Sequence, residues 1–192
     1  MAPPYDDLCT TRLRLRAAGH DDAAALAALL GSVAVRPFPW DDDEPGEAEL
    51  RHLIDETTRA GGPHGLWLLE EGDGQTLIGC AGLLPPGAAG EAELRLARTS
   101  EPVVALLPAH RGTGHATEAL AALVQHAFEG HGWTRLAAAV PVGDDAALRL
   151  VERVGFVFVS EVAGPASRLR TYRLDQAQFA RADALDRTDR AA

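Results

Sequence analysis

The order of elements between residues 103 and 128 constrains this chain more than any other feature. An apolar run from Val103 to Leu107 predicts a buried strand, and the spacing of apolar residues predicts a helix from Ala116 to Phe128. The sequence HRGTGH joins the two. Because a helix N-terminus presents unpaired N–H groups at the positive end of the helix dipole, such a junction can bind an anion. The segment therefore predicts either a phosphate site or an ordinary strand-to-helix turn.

Two glycines and an arginine in this junction favour the phosphate site. Gly112 and Gly114 let the backbone approach a ligand closely, and Arg111 adds a charged donor. Two common phosphate motifs are nevertheless excluded. A P-loop requires a lysine, which the chain lacks entirely, and the dinucleotide-binding fingerprint requires Gly or Ala where Thr117 stands.

Strand and helix patterns alternate along the rest of the chain and predict a single α/β domain over residues 10–175. Residues 1–9 and 176–192 are expected to be terminal extensions, and the irregular sequence SVAVRPFPWDDDEPG separates the first two helices. Strands are expected at 11–16, 66–70, 76–83, 91–97, 103–107, 136–142, 156–162 and 168–174, and helices at 21–30, 50–60, 116–128 and 144–153.

Charge and composition exclude several classes of protein. The 18 basic residues are all arginine and face 28 acidic ones, so the formal net charge of -10 has the wrong sign for binding nucleic acid. Cys9 and Cys80 are too few for a disulfide framework or a zinc site, and the seven histidines show no metal-ligand spacing, so we expect no metal. Without a signal pattern or a membrane-length apolar stretch, the chain is expected to be cytoplasmic and to have no membrane partner.

Four segments, in order, resemble the GNAT superfamily of acyl-CoA N-acyltransferases. Residues 111–116 resemble its Arg/Gln-x-x-Gly-x-Gly/Ala signature, and 10–16 and 115–119 resemble the branch that contains the ribosomal-protein N-terminal acetyltransferases. Residues 148–156 resemble the family's late helix and Gly-Phe junction. The resemblance implies the GNAT fold, a mixed and mostly antiparallel sheet flanked by helices, with acetyl-CoA as co-substrate. It implies that the CoA pyrophosphate binds at Arg111, Gly112, Thr113, Gly114, His115 and Ala116.

The resemblance also implies how the thioester is held and attacked. The strand before the loop should diverge from its neighbour and leave amides at Leu106 and Leu107 free for the pantetheine arm and the thioester carbonyl. A carboxylate must accept the proton of the attacking amine, and by analogy Glu93 or Glu91 takes this role. These two glutamates share one face of a predicted strand, so a solvated strand face is the competing interpretation.

Three positions near the late helix depart from the family pattern. Asp144 stands where the family often has Asn, and it can still accept a hydrogen bond from pantetheine. Ala147 and Val151 stand where relatives keep Ser or Tyr, and neither can protonate a departing thiolate. The general acid is therefore unassigned, although a CoA thiolate is a tolerable leaving group and proximity supplies much of the acceleration. This departure keeps open a regulatory or scaffold protein that binds acyl-CoA without turnover.

An acidic run beside a tryptophan predicts the chemistry of the acceptor. Trp40, Asp41 and Asp42, followed by Asp43 and Glu44, lie where the resemblance places the acceptor pocket. Four adjacent acids favour a cationic amine, and Trp40 can pack on it, while helix capping is the competing explanation. We therefore expect acetyl transfer from acetyl-CoA to a primary amine, either a small cationic amine or a protein N-terminus. The sequence leaves a homodimer open.

Overall fold

The computed structural model describes residues 5–32, 44–72, 76–85, 101–164 and 167–180. The strand predicted at 91–97 lies outside these ranges. In chain order the elements are β1 (Leu8–Cys9), β2 (Leu13–Ala17), α1 (Ala23–Leu30), α2 (Glu47–Ala60), β3 (Gly65–Glu71), β4 (Thr76–Leu84), β5 (Glu101–Leu106), α3 (His115–Gln125), β6 (Arg135–Pro141), α4 (Asp145–Val154), β7 (Val157–Ala163) and β8 (Arg168–Asp175). None of the helices in these ranges is long and apolar enough to cross a membrane.

The strands form two sheets rather than one. β1 to β5 make a five-stranded sheet in chain order, and β6, β8 and β7 make a three-stranded sheet in that order. Neighbouring strands in the described ranges are all antiparallel. The expected α/β architecture, a mostly antiparallel sheet flanked by helices, is confirmed. In place of one continuous mixed sheet, the described strands form two sheets that separate between β5 and β6.

Helices cover both faces of the five-stranded sheet, which explains its nearly continuous apolar strands. Along β3, Trp67 and Leu69 belong to a buried cluster with α3 and α4, whereas Leu66 and Leu68 belong to a second cluster with α1 and α2. Because side chains of a strand alternate between its two faces, a strand covered on both sides is apolar at successive positions. β3 is therefore held between two helical layers.

Small local differences from the predicted elements have physical causes. The two-residue strand β1 pairs with β2 inside the expected N-terminal extension, and it is too short to show a period in the sequence. α3 begins at His115, one residue before the predicted start, because Gly114 rather than His115 is its N-cap. Its last predicted turn is a π turn over His126–Gly130, which still buries Phe128.

β7 is the described strand with the most exposed apolar surface. It lies at the edge of the three-stranded sheet, and Val157, Phe158 and Val159 are each 51% exposed. An apolar edge strand offers unpaired backbone groups to a strand of another chain. The homodimer that the sequence leaves open stays a prediction.

Candidate active site

β5 and β6 diverge and leave a cavity between them. Among the described strands, β5 pairs with β4 alone and β6 with β8 alone, so neither extends the ladder of the other. This confirms the expected divergence of the strand before the loop. The gap contains a cavity of about 580 Å³, bounded by both strands and by α3 and α4. Its lining includes Val104, Leu106, Gly114, Val140, Asp144 and Ala147.

The end of β5 directs one amide towards the gap and the next one away from it. Leu107 donates its N–H to the carbonyl of Ile78 on β4 at 2.8 Å, so the expectation of a free amide at Leu107 is wrong. Leu106 lies opposite Gly79 on β4. Because the direction of the backbone N–H and C=O groups alternates along an antiparallel ladder, those of Leu106 point away from β4. The Leu106 amide therefore faces the gap, and its carbonyl accepts a hydrogen bond from Arg111 Nε at 3.1 Å.

Two glycines with positive φ shape the loop between β5 and α3. φ is 76° at Gly112 and 88° at Gly114, values in the left-handed region that favours glycine. Gly114 is the N-cap of α3 and brings no side chain to the first N–H groups of the helix. A Cβ atom at this position would lie 3.2 Å from Arg12 Nη2. The glycines therefore permit a tight turn that brings the N-terminus of α3 to the cavity.

A charged pair anchors this loop to the start of the five-stranded sheet. Arg12 donates from Nη1 to the carbonyl of Thr113 at 2.8 Å and from Nε to the Glu118 carboxylate at 2.7 Å. The same carboxylate accepts a hydrogen bond from Thr10 Oγ1 at 2.6 Å. Burial alone would raise the pKa of Glu118, but these hydrogen bonds and the charge of Arg12 together lower it below its ordinary value of 4.5. Arg12 and Glu118 therefore form a charged brace between β2 and α3.

Glu71, His110 and His115 meet beside the same loop and are termed the histidine–glutamate cluster below. His110 Nδ1 lies 3.1 Å from Glu71 Oε2, and His115 Nε2 lies 3.4 Å from Glu71 Oε1. One nitrogen or oxygen atom from each residue lies within 4.8 Å of the other two. The histidine spacing in the sequence did not indicate this grouping, because Glu71 ends β3 and only the fold brings it to the loop.

The N-terminus of α4 forms part of the opposite wall of the cavity. Asp144 is the N-cap of α4, and its Oδ1 accepts a hydrogen bond from the N–H of Ala147 at 2.9 Å. The carboxylate keeps further lone pairs, so the expected hydrogen bond from pantetheine stays a prediction. Ala147 and Val151 line the cavity, and neither side chain carries a proton that it could donate.

Several expected site residues lie outside the described ranges, and their roles stay predictions. α2 has Gly46 as its N-cap, and the side chain of Glu49 accepts a hydrogen bond from the N–H of Gly46 at 2.8 Å. This bond satisfies the N–H of the N-cap residue itself and leaves helix capping open as the competing explanation of the acidic run. The residues outside the described ranges are Trp40, Asp41, Asp42, Glu91 and Glu93.

Glu101 is a candidate site residue that the sequence analysis missed. It is the first residue of β5 and pairs with Leu84, and burial raises the pKa of its carboxyl group. Side chains alternate along a strand, so Glu101 shares a face with Val103 and Ala105, which pack with α1 and α2. The strand was expected to begin at Val103, which left this glutamate outside it. A predicted strand that began two residues earlier would have included Glu101.

Several solved structures with similar folds are acetyltransferases. The acetyltransferase from Agrobacterium tumefaciens strain C58 is 22% identical with a TM-score of 0.71, over 91% of this chain and 96% of that chain. A mutant of spermidine N-acetyltransferase from Vibrio cholerae is 19% identical with a TM-score of 0.66, over 88% of this chain and 97% of that chain. A ribosomal L7/L12 alpha-N-protein acetyltransferase in complex with coenzyme A is 16% identical with a TM-score of 0.68, over 88% and 97%.

Sequence comparison identifies the family independently of these folds. A search of curated proteins gives no match to the chain. The family profile described as "Acetyltransferase (GNAT) domain" matches residues 12–157, which span most of the chain and include the β5–α3 loop and α4. The resemblance seen in the sequence is thereby confirmed, and the chain belongs to the GNAT acetyltransferase family.

Proposed function

We propose that this protein transfers an acetyl group from acetyl-CoA to a primary amine. The observation that carries the proposal is the gap between β5 and β6, which has the Leu106 amide on one strand and the glycine loop at its end. A thioester needs an extended slot, a hydrogen-bond donor at its carbonyl oxygen and a binding site for its anionic end. The cavity supports the proposal, because the two diverging strands, Leu106 and the N-terminus of α3 all border it.

The cofactor would lie across the loop and along β5. Its pyrophosphate binds the amides from Gly112 to Ala116 together with the positive end of the α3 dipole, and Arg111 adds charge. The pantetheine arm runs along β5, and the Leu106 amide polarises the thioester carbonyl. The coenzyme A complex of the ribosomal-protein acetyltransferase with the same fold supports this class of cofactor.

The attacking amine needs a carboxylate to accept its proton, and three glutamates are proposed for this role. Glu93 and Glu91 remain the candidates from the sequence. Glu101 joins them because it is the first residue of the strand that borders the gap, and burial raises the pKa of its carboxyl group, which makes its carboxylate a stronger base. Each position is changed from Glu to Gln in turn. The substitution at the residue that acts as base should lower the maximal rate and shift the acidic limb of the pH–rate profile. A profile unchanged in all three variants would remove these carboxylates from the mechanism.

The proposed acceptor is a cationic amine, with Trp40, Asp41 and Asp42 as its binding residues. Spermidine N-acetyltransferase and the ribosomal-protein acetyltransferase show that this fold serves both small polyamines and protein N-termini. An Asp41→Asn, Asp42→Asn double variant should raise the KM of cationic acceptors and leave that of neutral acceptors unchanged, with a larger effect at low salt. Equal KM values in native protein and variant at both salt concentrations would assign the acidic run to helix capping alone.

The decisive experiment measures free thiol released from acetyl-CoA across a panel of polyamines, aminoglycosides and basic peptides. Release that depends on the amine, with acetylated product seen by mass spectrometry, is the expected result. Calorimetric binding of acetyl-CoA without turnover of any acceptor would instead support a regulatory acyl-CoA binder. The absence of a proton donor at Ala147 and Val151 is the observation that favours this second function.

A further inference from the structure

We propose that the histidine–glutamate cluster binds a divalent transition-metal ion of the zinc class. The ion joins Glu71, at the end of β3, to the loop that carries His110 and to His115, the first residue of α3. Two imidazoles and one carboxylate are a donor set that zinc accepts, whereas magnesium and calcium prefer oxygen ligands alone. The site goes beyond acetyl transfer, because no step of the proposed reaction uses these three side chains.

The separations between the donor atoms suit an ion of this size. Zinc bonds of about 2.0–2.2 Å in a tetrahedral arrangement place ligand atoms roughly 3.3–3.5 Å apart. The distances from Glu71 to the two imidazoles, 3.1 Å to His110 and 3.4 Å to His115, are close to that spacing. The donor atoms of the two imidazoles lie within 4.8 Å of each other, so metal binding requires them to approach by at most roughly 1.5 Å.

The hydrogen bonds of Thr113 orient His115 for metal binding. Thr113 donates its single hydroxyl proton to the carbonyl of His110 at 2.9 Å, so at its 3.0 Å contact with His115 Nδ1 the hydroxyl must accept. Nδ1 of His115 therefore carries the proton. With Nδ1 protonated, His115 turns Nε2 towards Glu71 Oε1 at 3.4 Å, a contact that is favourable when either a proton or a metal ion lies between the two atoms.

The proposed cation site is buried at His115 and open to solvent at His110 and Glu71. The side chain of His115 is 4% exposed, whereas those of His110 and Glu71 are 25% and 39% exposed. An ion can therefore enter from solvent past Glu71 and His110 and come to rest on His115. Three protein ligands leave the fourth position of a tetrahedral ion to water, as in zinc sites that are open on one side.

The test is a metal titration of the tag-free full-length protein after treatment with a chelator. Zn²⁺ should bind with one ion per chain by calorimetry, and Co²⁺ should give the visible absorption of a four- or five-coordinate complex. Zn²⁺ should also raise the melting temperature, since an ion that binds only the folded state stabilises it. His110→Ala and Glu71→Gln, both at partly exposed positions, should each weaken Zn²⁺ binding by about 100-fold or more, because even outer-shell partners cost 10–100-fold.

Two further variants separate this site from other histidines and from a simple ion pair. His126 and His131 form another close imidazole pair, with ring centroids 4.6 Å apart, so His131→Ala is the matched control and should leave Zn²⁺ affinity unchanged. Thr113→Val should weaken Zn²⁺ binding about tenfold, because it removes the acceptor that orients His115.

Three results would overturn the proposal. The first is that the native protein gives no saturable binding of Zn²⁺ or Co²⁺, which would leave the cluster as a hydrogen-bonded ion pair. The second is that binding survives both His110→Ala and Glu71→Gln in folded protein. The third is that His131→Ala removes it. These outcomes are measured with the metal alone, so they stand whether or not the protein transfers acetyl groups.

Discussion

The loop between β5 and α3 has two sides that are built from different kinds of groups. The side that faces the gap presents backbone and glycine, namely the Leu106 amide and Gly112 and Gly114. The other side presents side chains in close contact, namely the brace of Arg12 with Glu118 and the histidine–glutamate cluster. In the proposed function, the backbone surface binds the cofactor and the Arg12–Glu118 brace holds that surface in place.

The substitution expected to weaken CoA binding most is Gly114→Asp. A side chain at a φ of 88° costs about 1–2 kcal/mol, and a carboxylate at the N-terminus of α3 repels the pyrophosphate. We expect the affinity for CoA, measured by calorimetry, to fall about 100-fold, equivalent to about 2.7 kcal/mol.

Gly114→Asn is the matched control, because Asn and Asp have a similar shape and a similar tolerance of the left-handed region, and Asn lacks the charge. Its CoA affinity should fall about tenfold, so the further tenfold loss in the Asp variant measures the electrostatic part. Thermal melting of both variants establishes the temperature at which each is folded. Unchanged CoA affinity in folded Gly114→Asp protein would place the cofactor elsewhere.

On the brace side of the loop, a substitution should change the free energy of unfolding more than the affinity for CoA. Glu118→Gln keeps the shape of the side chain but removes its charge opposite Arg12. We expect a loss of about 1–2 kcal/mol in the free energy of unfolding, reduced from the value of a fully buried pair because the Arg12 side chain is 45% exposed. CoA affinity should fall only a few-fold. A larger effect on affinity than on stability would contradict the division between the two sides of the loop.

The pH dependence of this variant gives an independent check. Because the folded pKa of Glu118 is lowered, the stability that its carboxylate contributes is complete above the ordinary value of 4.5 and is lost as the pH falls through the lowered folded value. The difference in unfolding free energy between native protein and Glu118→Gln should therefore be constant near neutral pH and shrink below about pH 4.5. Urea titrations across this range measure it.

The sequence predicted those parts of the fold that depend on local pattern. The strands at 66–70 and 76–83 are found within β3 and β4, because their buried residues form continuous apolar runs between strong turn signals. The helix after the glycine loop was equally clear, since glycine and apolar spacing lie side by side in the chain. The split into two sheets was not predicted: the family resemblance implied only that the strand before the loop diverges from its neighbour, and strand pairing is a long-range property that no local pattern encodes.

The site was less predictable where it depends on contacts distant in sequence. Neither the brace between Arg12 and Glu118 nor the approach of Glu71 to the two histidines has a local signature. The error at Leu107 has another cause. Which of two successive amides faces the gap depends on the register with β4, and a shift of one residue reverses the answer.

A smaller effect is expected from substitutions of Asp144, which lies on the opposite wall of the gap. Asp144→Ala removes the cap of α4 and should lower the free energy of unfolding by about 1 kcal/mol, whereas Asp144→Asn retains a capping oxygen and should change it by a few tenths. If the residue also binds pantetheine, the Asn variant should keep most of its CoA affinity and the Ala variant should not. Equal CoA affinity in both variants would leave Asp144 a helix cap only.

The smallest effect is expected at Arg111, which belongs to both sides of the loop. Its Nε holds the carbonyl of Leu106 at 3.1 Å, and its charge lies beside the proposed pyrophosphate site. Arg111→Gln should lower CoA affinity by a few-fold, about 0.5–1 kcal/mol, because an exposed charge acts weakly in water, and the loss should shrink as salt is added.

Arg111→Lys separates the two roles, since it keeps the charge but loses the planar donor that meets Leu106. A role through charge predicts that Arg111→Lys has nearly native affinity with native salt dependence. A role through the position of Leu106 predicts instead that Arg111→Lys and Arg111→Gln lose affinity equally at every salt concentration. The second result would move Arg111 from the ligand side of the loop to the side that fixes its position, and calorimetric titrations of CoA at two ionic strengths decide between them.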